Sequence, residues 1–274
     1  MQIAKLTLEQ KRQKIREKVK NFTLMDDNFM TVFFNDDLEC TEFVLQVIMD
    51  KPDLKVTKTK SQYTIANLKG RAARLDVRAV DSKGVIYDIE IQRADKGAGA
   101  KRARYNSALM DADETVSGMD TETLPETYVI FITENDVLGG ELPLYHIDRT
   151  IRELNKPFDD KSHIIYVNGQ YRGNDPIGSL MHDFSCTQAD DMKNKVLANK
   201  ARLLKESEQG ESQMCRAVEE LVEEFAAAEK VETAIKMLEQ NRIKEDELAD
   251  FFGFTPEQVQ EVLSLYKQSS AVKA

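Results

Sequence analysis

Asp76 and Glu90 are the residues whose type and setting point most directly to chemistry. Each lies in a run where apolar and polar residues alternate. In the first, Leu75, Val77 and Ala79 alternate with Asp76 and Arg78; in the second, Val85, Tyr87, Ile89 and Ile91 alternate with Ile86, Asp88, Glu90 and Gln92. A period of two marks a half-buried strand. A three-residue loop, Ser82–Gly84, with Gly84 in the left-handed conformation, closes the two runs into a hairpin. That loop sets the register: Asp81 faces Val85, Val80 faces Ile86, Arg78 faces Asp88, and Asp76 faces Glu90. Opposed β-carbons lie about 5 Å apart, so two carboxylates share one spot on a sheet face. Such a pair repels, and burial worsens the repulsion. A shared proton, a nearby arginine or lysine, or a divalent cation relieves it. A hard cation such as Mg²⁺ takes one or two carboxylates, waters and phosphate oxygens. The competing reading is an exposed hairpin with solvated acids, where Arg78 and Asp88 form a weak surface pair. The apolar residues flanking both acids suggest a central strand position and give the metal reading its weight.

Other elements must hold this hairpin in place. The helical spacing of Phe29, Val32 and Phe33, then Phe43, Val44, Val47 and Ile48, predicts one or two helices over residues 27–50, ended by Lys51-Pro52. Alternation over Ser61–Leu68 predicts a third strand, which makes the hairpin part of an antiparallel meander. Gly97 and Gly99 let the chain turn into a helix over residues 100–113, with Lys101, Arg104, Tyr105 and Ala108 on one side. If that side faces the carboxylates, Arg104 or Lys101 can pair with a phosphate; otherwise these are solvated charges. Their place directly after Glu90 favours the first reading. The run Lys96-Gly97-Ala98-Gly99 is too short and wrongly placed for a nucleotide loop, so no nucleotide cofactor is expected. Tyr128–Ile132 and Ile164–Val167 are continuous apolar runs of the kind buried on both faces, with a shorter strand at Leu144–Ile147 between them. A short helix begins at Asp175-Pro176. His182 and Asp183 are adjacent on it, where side chains do not meet as they do at i+3 and i+4, so they read as packing and capping.

Toward the C-terminus, a long helix is expected over Gln188–Glu206, a polar linker at Glu206–Ser212, and another long helix over Met214–Asn241. Lys244–Tyr266 outlines a helix-turn-helix: Gly253 stops one helix, Thr255 caps the next, Pro256 opens it and Gln258 completes a capping box. Glu257 and Glu261, with no Lys or Arg before Lys267, would repel phosphates where a recognition helix enters DNA. Self-association, such as a homodimer, or contact with a partner suits this segment better. At the other end, Thr7-Leu8-Glu9-Gln10 is a capping box opening a helix to about Lys20. Residues 5–20 carry seven Lys or Arg against two Glu; a solvated arm is favoured over a phosphate-binding one. The chain divides into a basic N-terminal helical arm (1–24), a core domain (25–208) and a helical C-terminal region (209–274).

Composition bounds the answer. The 274 residues are 41% hydrophobic and 31% charged, with net charge −10. Diffuse affinity for nucleic acid across the whole surface is excluded, although a basic cluster at one site is not. Cys40, Cys186 and Cys215 are odd in number and scattered, as reduced thiols in a cytoplasmic protein are. The histidines His146, His163 and His182 are also far apart, so no zinc site is expected. No apolar run approaches a membrane span of about 20 residues, and no secretory signal is evident.

Asp76 followed by Glu90-Ile91-Gln92 resembles the core of the PD-(D/E)XK nuclease superfamily, and the surrounding segments resemble its bacterial "PD-(D/E)XK nuclease family transposases", relatives of the recombination-promoting nucleases. The matching pieces occur in order: Asp27-Asn28-Phe29-Met30, Arg74-Leu75-Asp76-Val77, Ile89-Glu90-Ile91-Gln92, Lys101-Arg102-Ala103-Arg104-Tyr105, Tyr128-Val129-Ile130-Phe131-Ile132-Thr133, Ile165-Tyr166-Val167-Asn168-Gly169 and Met181-His182-Asp183-Phe184. They span roughly residues 25–205. The resemblance implies an α+β/α/β, restriction-endonuclease-like core of a mixed sheet flanked by helices, acting as a metal-dependent DNA endonuclease linked to recombination or mobile elements. It implies Asp76, Glu90 and Gln92 as catalytic residues. Asp76, Glu90 and the Ile91 carbonyl would bind Mg²⁺ or Mn²⁺, with Asp27 or Glu42 as a further ligand from the first helix. Lys101, Arg102, Arg104 and Tyr105 would meet the phosphate, Arg104 first and Lys101 in reserve. Two departures stand out: Leu75 replaces the proline of the superfamily's name, and Gln92 replaces its lysine. Gln92 can bond a water but carries no charge. The alternative is an inactive nuclease-fold protein that acts as an interaction module.

Overall fold

The computed structural model describes residues 13, 17–65, 72–93, 95–240 and 242–273. Most of the basic arm, including its capping box at residues 7–10, lies outside this set; residues 17–19 are helical. The chain forms two compact units, residues 1–215 and 216–274.

The first unit is built on a six-stranded mixed sheet of order β1-β2-β3-β4-β8-β5. Its strands are β1 (Val56–Ile65), β2 (Ala73–Asp81), β3 (Ile86–Gln92), β4 (Thr127–Thr133), β5 (Leu144–Ile147) and β8 (Ser162–Asn168); β6 (Thr150–Ile151) and β7 (Lys156–Pro157) form a separate small ribbon. The meander β1-β2-β3 is antiparallel, β3-β4-β8 is parallel, and β5 closes the edge antiparallel to β8. The parallel step from β3 to β4 needs a crossover, supplied by helix α3 (Ala100–Glu114). This α3 covers one face, packing Ala103, Leu109 and Met110 on Leu75, Ile86, Val129, Phe131 and Tyr166. The other face carries α1 (Asp27–Phe34), α2 (Leu38–Ile48), α4 (Pro176–Ser185) and α5 (Lys195–Glu206), which meet Val77, Tyr87, Ile89, Ile91, Ile130, Ile132 and Val167. Every residue of β4 is buried, as its unbroken apolar run requires.

From Val77 to Asp81 the hairpin register is the expected one, but the ladder ends at Val77–Ile89 and the expected Asp76–Glu90 pair is not part of it. Arg78 pairs with Asp88 and Val80 with Ile86; the Asp81 N–H donates to the Val85 carbonyl at 3.0 Å, and Gly84 has φ +82°. Three expectations need correction. The first concerns the strand before it, which starts at Val56 rather than Ser61 and is described to Ile65, Leu68 lying outside the described residues. The second concerns faces: Leu75 does not share one with Val77 and Ala79. Gln62, at φ +52°, breaks the alternation of β1. Ser61 and Gln62 both bond toward α1, to Asn35 and Thr31, whereas Tyr63 bonds Asp113 on α3. The register is unchanged across this kink, but the pairing skips Gln62 and Asp76, and Ala73 and Leu75 turn to the α3 side. The third concerns Arg78, which leaves Asp88 to pair with Glu114 and stack on Tyr63.

Helices at the C-terminal end also differ from expectation. A short turn at Ala189–Asp191 precedes α5, which starts at Lys195 rather than Gln188. The expected linker is no linker: Ser207 alone separates α5 from α6 (Glu208–Glu239). A Cβ on Gly210 would lie 2.1 Å from the Leu203 carbonyl oxygen, so glycine there serves close helix approach. Met214, wholly buried, joins the core of the first unit. The second unit has its own core, Ala234, Leu238, Ile243, Leu248, Phe254 and Val262. In it, α7 (Leu248–Phe252) stops at Gly253 (φ +68°), and α8 (Pro256–Lys273) opens with the expected capping box: the Gln258 N–H donates to Thr255 Oγ1, and the Thr255 N–H to Gln258 Oε1. Among the described residues no helix is long and apolar enough to cross a membrane.

Candidate active site

Where β2 escapes the ladder, Asp76 finds a new partner. Its Oδ2 accepts from the Ile91 N–H at 2.9 Å, so a side chain completes the pairing the backbone abandons. The Gln92 Nε2 lies 3.3 Å from both Asp76 Oδ2 and Glu90 Oε2 and ties the two carboxylates together. Glu90 is fully buried on the α3 side of β3. Its Oε2 also pairs with Arg102, and its Oε1 accepts from Asn106 Nδ2 at 3.2 Å. The same amide nitrogen donates to Asp88 Oδ2 at 3.0 Å, while Asp88 Oδ1, fully enclosed, has no partner. The reading of these acids as solvated on an exposed hairpin is therefore excluded.

Electrostatics follow from this crowding. Burial, then the charge of Glu90, pushes the Asp76 carboxyl up to about 7. Burial raises Glu90 as well, against the pull of the Arg102 guanidinium. Asp88 is driven well above the usual carboxylate range, first by burial and then by Glu90. Asp27, the first residue of α1, stands near enough for its charge to raise Asp76 further. Its own carboxyl is raised by burial and by Asp26, against Arg74, Arg93 and Arg102.

The expected site residues thus divide. Asp76, Glu90, Gln92 and Arg102 come together, with Asp27 at the margin. Glu42 does not join them: it accepts from Lys55 Nζ (2.7 Å) and the Val56 N–H (3.0 Å), and Val56 pairs with Asp81, at the far end of β2 from Asp76. The face of α3 that meets the carboxylates carries Arg102 and Asn106, not Lys101 and Arg104, which are exposed. Tyr105 is half-buried and packs beneath α3. Gly97 has a second purpose beyond the turn. A Cβ there would fall 2.1 Å from Gln92 Oε1, and Arg102 clamps both partners, donating to Gln92 Oε1 (3.4 Å) and the Gly97 carbonyl (3.2 Å). Asn106 and Asp88 were missed as site residues. The one available signal was an asparagine in the helix after Glu90, facing a strand whose polar residues all lie on one side.

His182 and Asp183 do meet, Nδ1 to Oδ1 at 3.0 Å, contrary to the helical-spacing argument, and Cys186 lies beside them. The capping role holds: Asp183 accepts from the Lys193 and Asn194 N–H groups at 2.8 Å and from Asn194 Nδ2 at 2.7 Å, just before α5. Those bonds engage both oxygens of its carboxylate.

The chemistry of the main site suits a hard cation. Its donors are the carboxylate oxygens of Asp76 and Glu90, with the Ile91 carbonyl on the same strand edge as the N–H that Asp76 holds. Oxygen donors of this kind select Mg²⁺ or Mn²⁺ over softer metals. Two acids raised by burial, Asp76 also by the charge of Glu90, are what a divalent charge would stabilise.

Comparison with curated proteins and with solved structures gave no match. A family profile described as PD-(D/E)XK nuclease family transposase matches residues 40–250. This match begins after Asp27 and runs beyond the segments recognised in the sequence, through α7's first residues. The mixed six-stranded sheet flanked by helices, with a helical C-terminal region, fits the restriction-endonuclease-like fold of that family. The chain belongs to the PD-(D/E)XK nuclease family transposases.

Proposed function

We propose that this chain is a divalent-metal-dependent DNA endonuclease serving recombination or mobile-element movement. The observation that supports it is the pair of carboxylates, half-buried Asp76 and fully buried Glu90, bridged by Gln92 beside Arg102. Asp76, Glu90 Oε2 and the Ile91 carbonyl would hold Mg²⁺ or Mn²⁺, with Asp27 as a further candidate ligand. Such an ion, when bound, supplies an activated water and polarises the scissile phosphate.

The chain's own groups do the rest. Gln92 positions the attacking water with its amide, which Gly97 and Arg102 hold in one orientation. It supplies no charge, and a developing phosphorane needs a positive one. Arg102 is the cation at hand; its side chain is 39% exposed, so the guanidinium can exchange Glu90 for two phosphate oxygens. Lys101 and Arg104, exposed on α3, are left to meet phosphates away from the reacting one. The work is cytoplasmic, where DNA and the reduced thiols of Cys40 and Cys186 both belong. The second helical unit would serve a homodimer or partner contact.

Supercoiled-plasmid nicking with Mg²⁺ or Mn²⁺ tests this. The wild type should nick and Asp76→Ala should not. Removing a preorganised charged donor costs about 10²–10³ in rate, so Arg102→Ala should lose that much while Arg104→Ala loses little. Normal nicking by Asp76→Ala would place the chemistry elsewhere. One observation favours an inactive interaction module instead: Arg102 and Gln92 already satisfy Glu90 without any ion. An inactive protein would show no thermal stabilisation by Mg²⁺ or Mn²⁺.

A further inference from the structure

We propose that Asn106 fixes how Glu90 binds its metal, through one oxygen only, and thereby makes the site favour Mg²⁺ and Mn²⁺ over Ca²⁺. The inference rests on the metal-site reading above.

Asn106 sits in the middle of α3 and is 3% exposed. Its Nδ2 donates to Glu90 Oε1 at 3.2 Å and to Asp88 Oδ2 at 3.0 Å. Glu90, paired with Arg102, is the acceptor that sets the amide's orientation, since the amide's own oxygen would repel it. The two oxygens of Glu90 therefore have separate duties. Oε1 is turned under α3 and held there; Oε2 faces the site, where Gln92 and Arg102 meet it. For both oxygens to reach one ion, Oε1 must abandon its donor inside the core, where a lost hydrogen bond is costly.

This division matters to the ion. Mg²⁺ demands six close oxygens at about 2.0–2.1 Å in octahedral geometry and takes single carboxylate oxygens; Ca²⁺ is larger, accepts six to eight, and commonly uses a carboxylate through both. A Glu90 confined to one oxygen meets the first demand and withholds the second. Asp88 completes the device. Buried completely, it takes the other hydrogen bond of the Asn106 Nδ2 at 3.0 Å and lies against the Glu90 carboxyl itself. Asn106 is a positioning residue: its amide acts on the metal only through Glu90.

Calorimetric titration of the full-length protein with Mg²⁺, Mn²⁺ and Ca²⁺ tests this without recourse to activity. Residues that orient a metal ligand commonly control affinity by 10- to 100-fold. Asn106→Ala should shift the Ca²⁺-to-Mg²⁺ affinity ratio toward Ca²⁺ by about tenfold. Because that substitution strands two buried acids, the double variant Asn106→Ala/Asp88→Ala, which removes the second acid, is titrated alongside and should show the same shift. An unchanged ratio in a folded variant overturns the assignment to Asn106 while the site itself stands. A wild-type protein that binds none of the three ions overturns the metal-site reading and this inference with it.

Discussion

Gln92 takes its orientation from a residue with no side chain. With the Gly97 Cβ position only 2.1 Å from Gln92 Oε1, an added methyl must push the amide off Asp76 and Glu90. Misplacing a catalytic group by about 1 Å can cost 10² in rate. Gly97→Ala should therefore lower nicking by about that factor with the melting temperature little changed, and cleavage at the wild-type rate would remove Gln92 from the mechanism. Asp76 gives a pH test. Its folded pKa, about 7, exceeds the ordinary 3.8 because of burial and Glu90. The folded state thus keeps a proton that the unfolded chain releases. That contribution to stability is complete below pH 3.8 and is lost as pH rises toward 7. In EDTA, melting temperature should fall across that window, and fall less steeply in Asp76→Asn; parallel slopes would show that Asp76 is not the strained acid. Asp76, where the alternation of β2 breaks, was named from the hairpin register, and Glu90 and Gln92 were legible because strand alternation reports a face directly. Asp88 was not, because the sequence shows an arginine opposite it and not that Arg78 turns away to Glu114.

At the scale of elements, α3 was placed correctly and rotated wrongly. Helix phase is read from an apolar stripe, and α3 has none: it buries Asn106 and Ser107 along with Ala103 and Met110. A helix laid over a polar site buries polar residues, so the signal fails just where function lies. Putting Arg104 first and Lys101 in reserve, with Arg102 only among the phosphate candidates and Asn106 unnamed, turns the helix by about one residue, or about 100°. The opposite case is α8, whose start was legible to the residue because capping chemistry is local. Thr255 Oγ1 and Gln258 Oε1 satisfy each other's backbone N–H groups, at 3.3 and 3.0 Å. Losing an N-cap threonine costs about 1 kcal/mol. Thr255→Ala should speed amide hydrogen exchange in the first turns of α8 by roughly fivefold, and should leave exchange in β3 and β4 untouched. Equal acceleration in both places would mean that the two units open together.

At the scale of the whole molecule, the boundary between units is the feature the sequence hid. Glu206–Ser212 has the composition of a linker, yet its residues belong to two helices that meet at Ser207. Polarity there reflects an exposed helix surface, and Gly210 reflects close packing on Leu203 and Leu204 rather than looseness. The first turns of α6 belong to the nuclease core: Met214 is wholly buried within it and Cys215 is 7% exposed, and the division falls after Cys215. A chain cut at the apparent linker, after Gln209, would lose Met214 and uncover the apolar surface beneath it. Removing a large buried side chain of this kind costs about 2–5 kcal/mol, a large part of a typical domain's stability. A chain ending at Cys215 keeps that contact and gives up only the second unit. Residues 1–215 should therefore express as a folded protein with a cooperative melt and keep Mg²⁺-dependent stabilisation, whereas residues 1–209 should melt at least several degrees lower or aggregate. If both truncations melt alike, α6 contributes nothing to the core and the boundary belongs at Ser207. If the 1–215 chain fails to fold as well, the helical unit is part of one cooperative structure with the nuclease sheet.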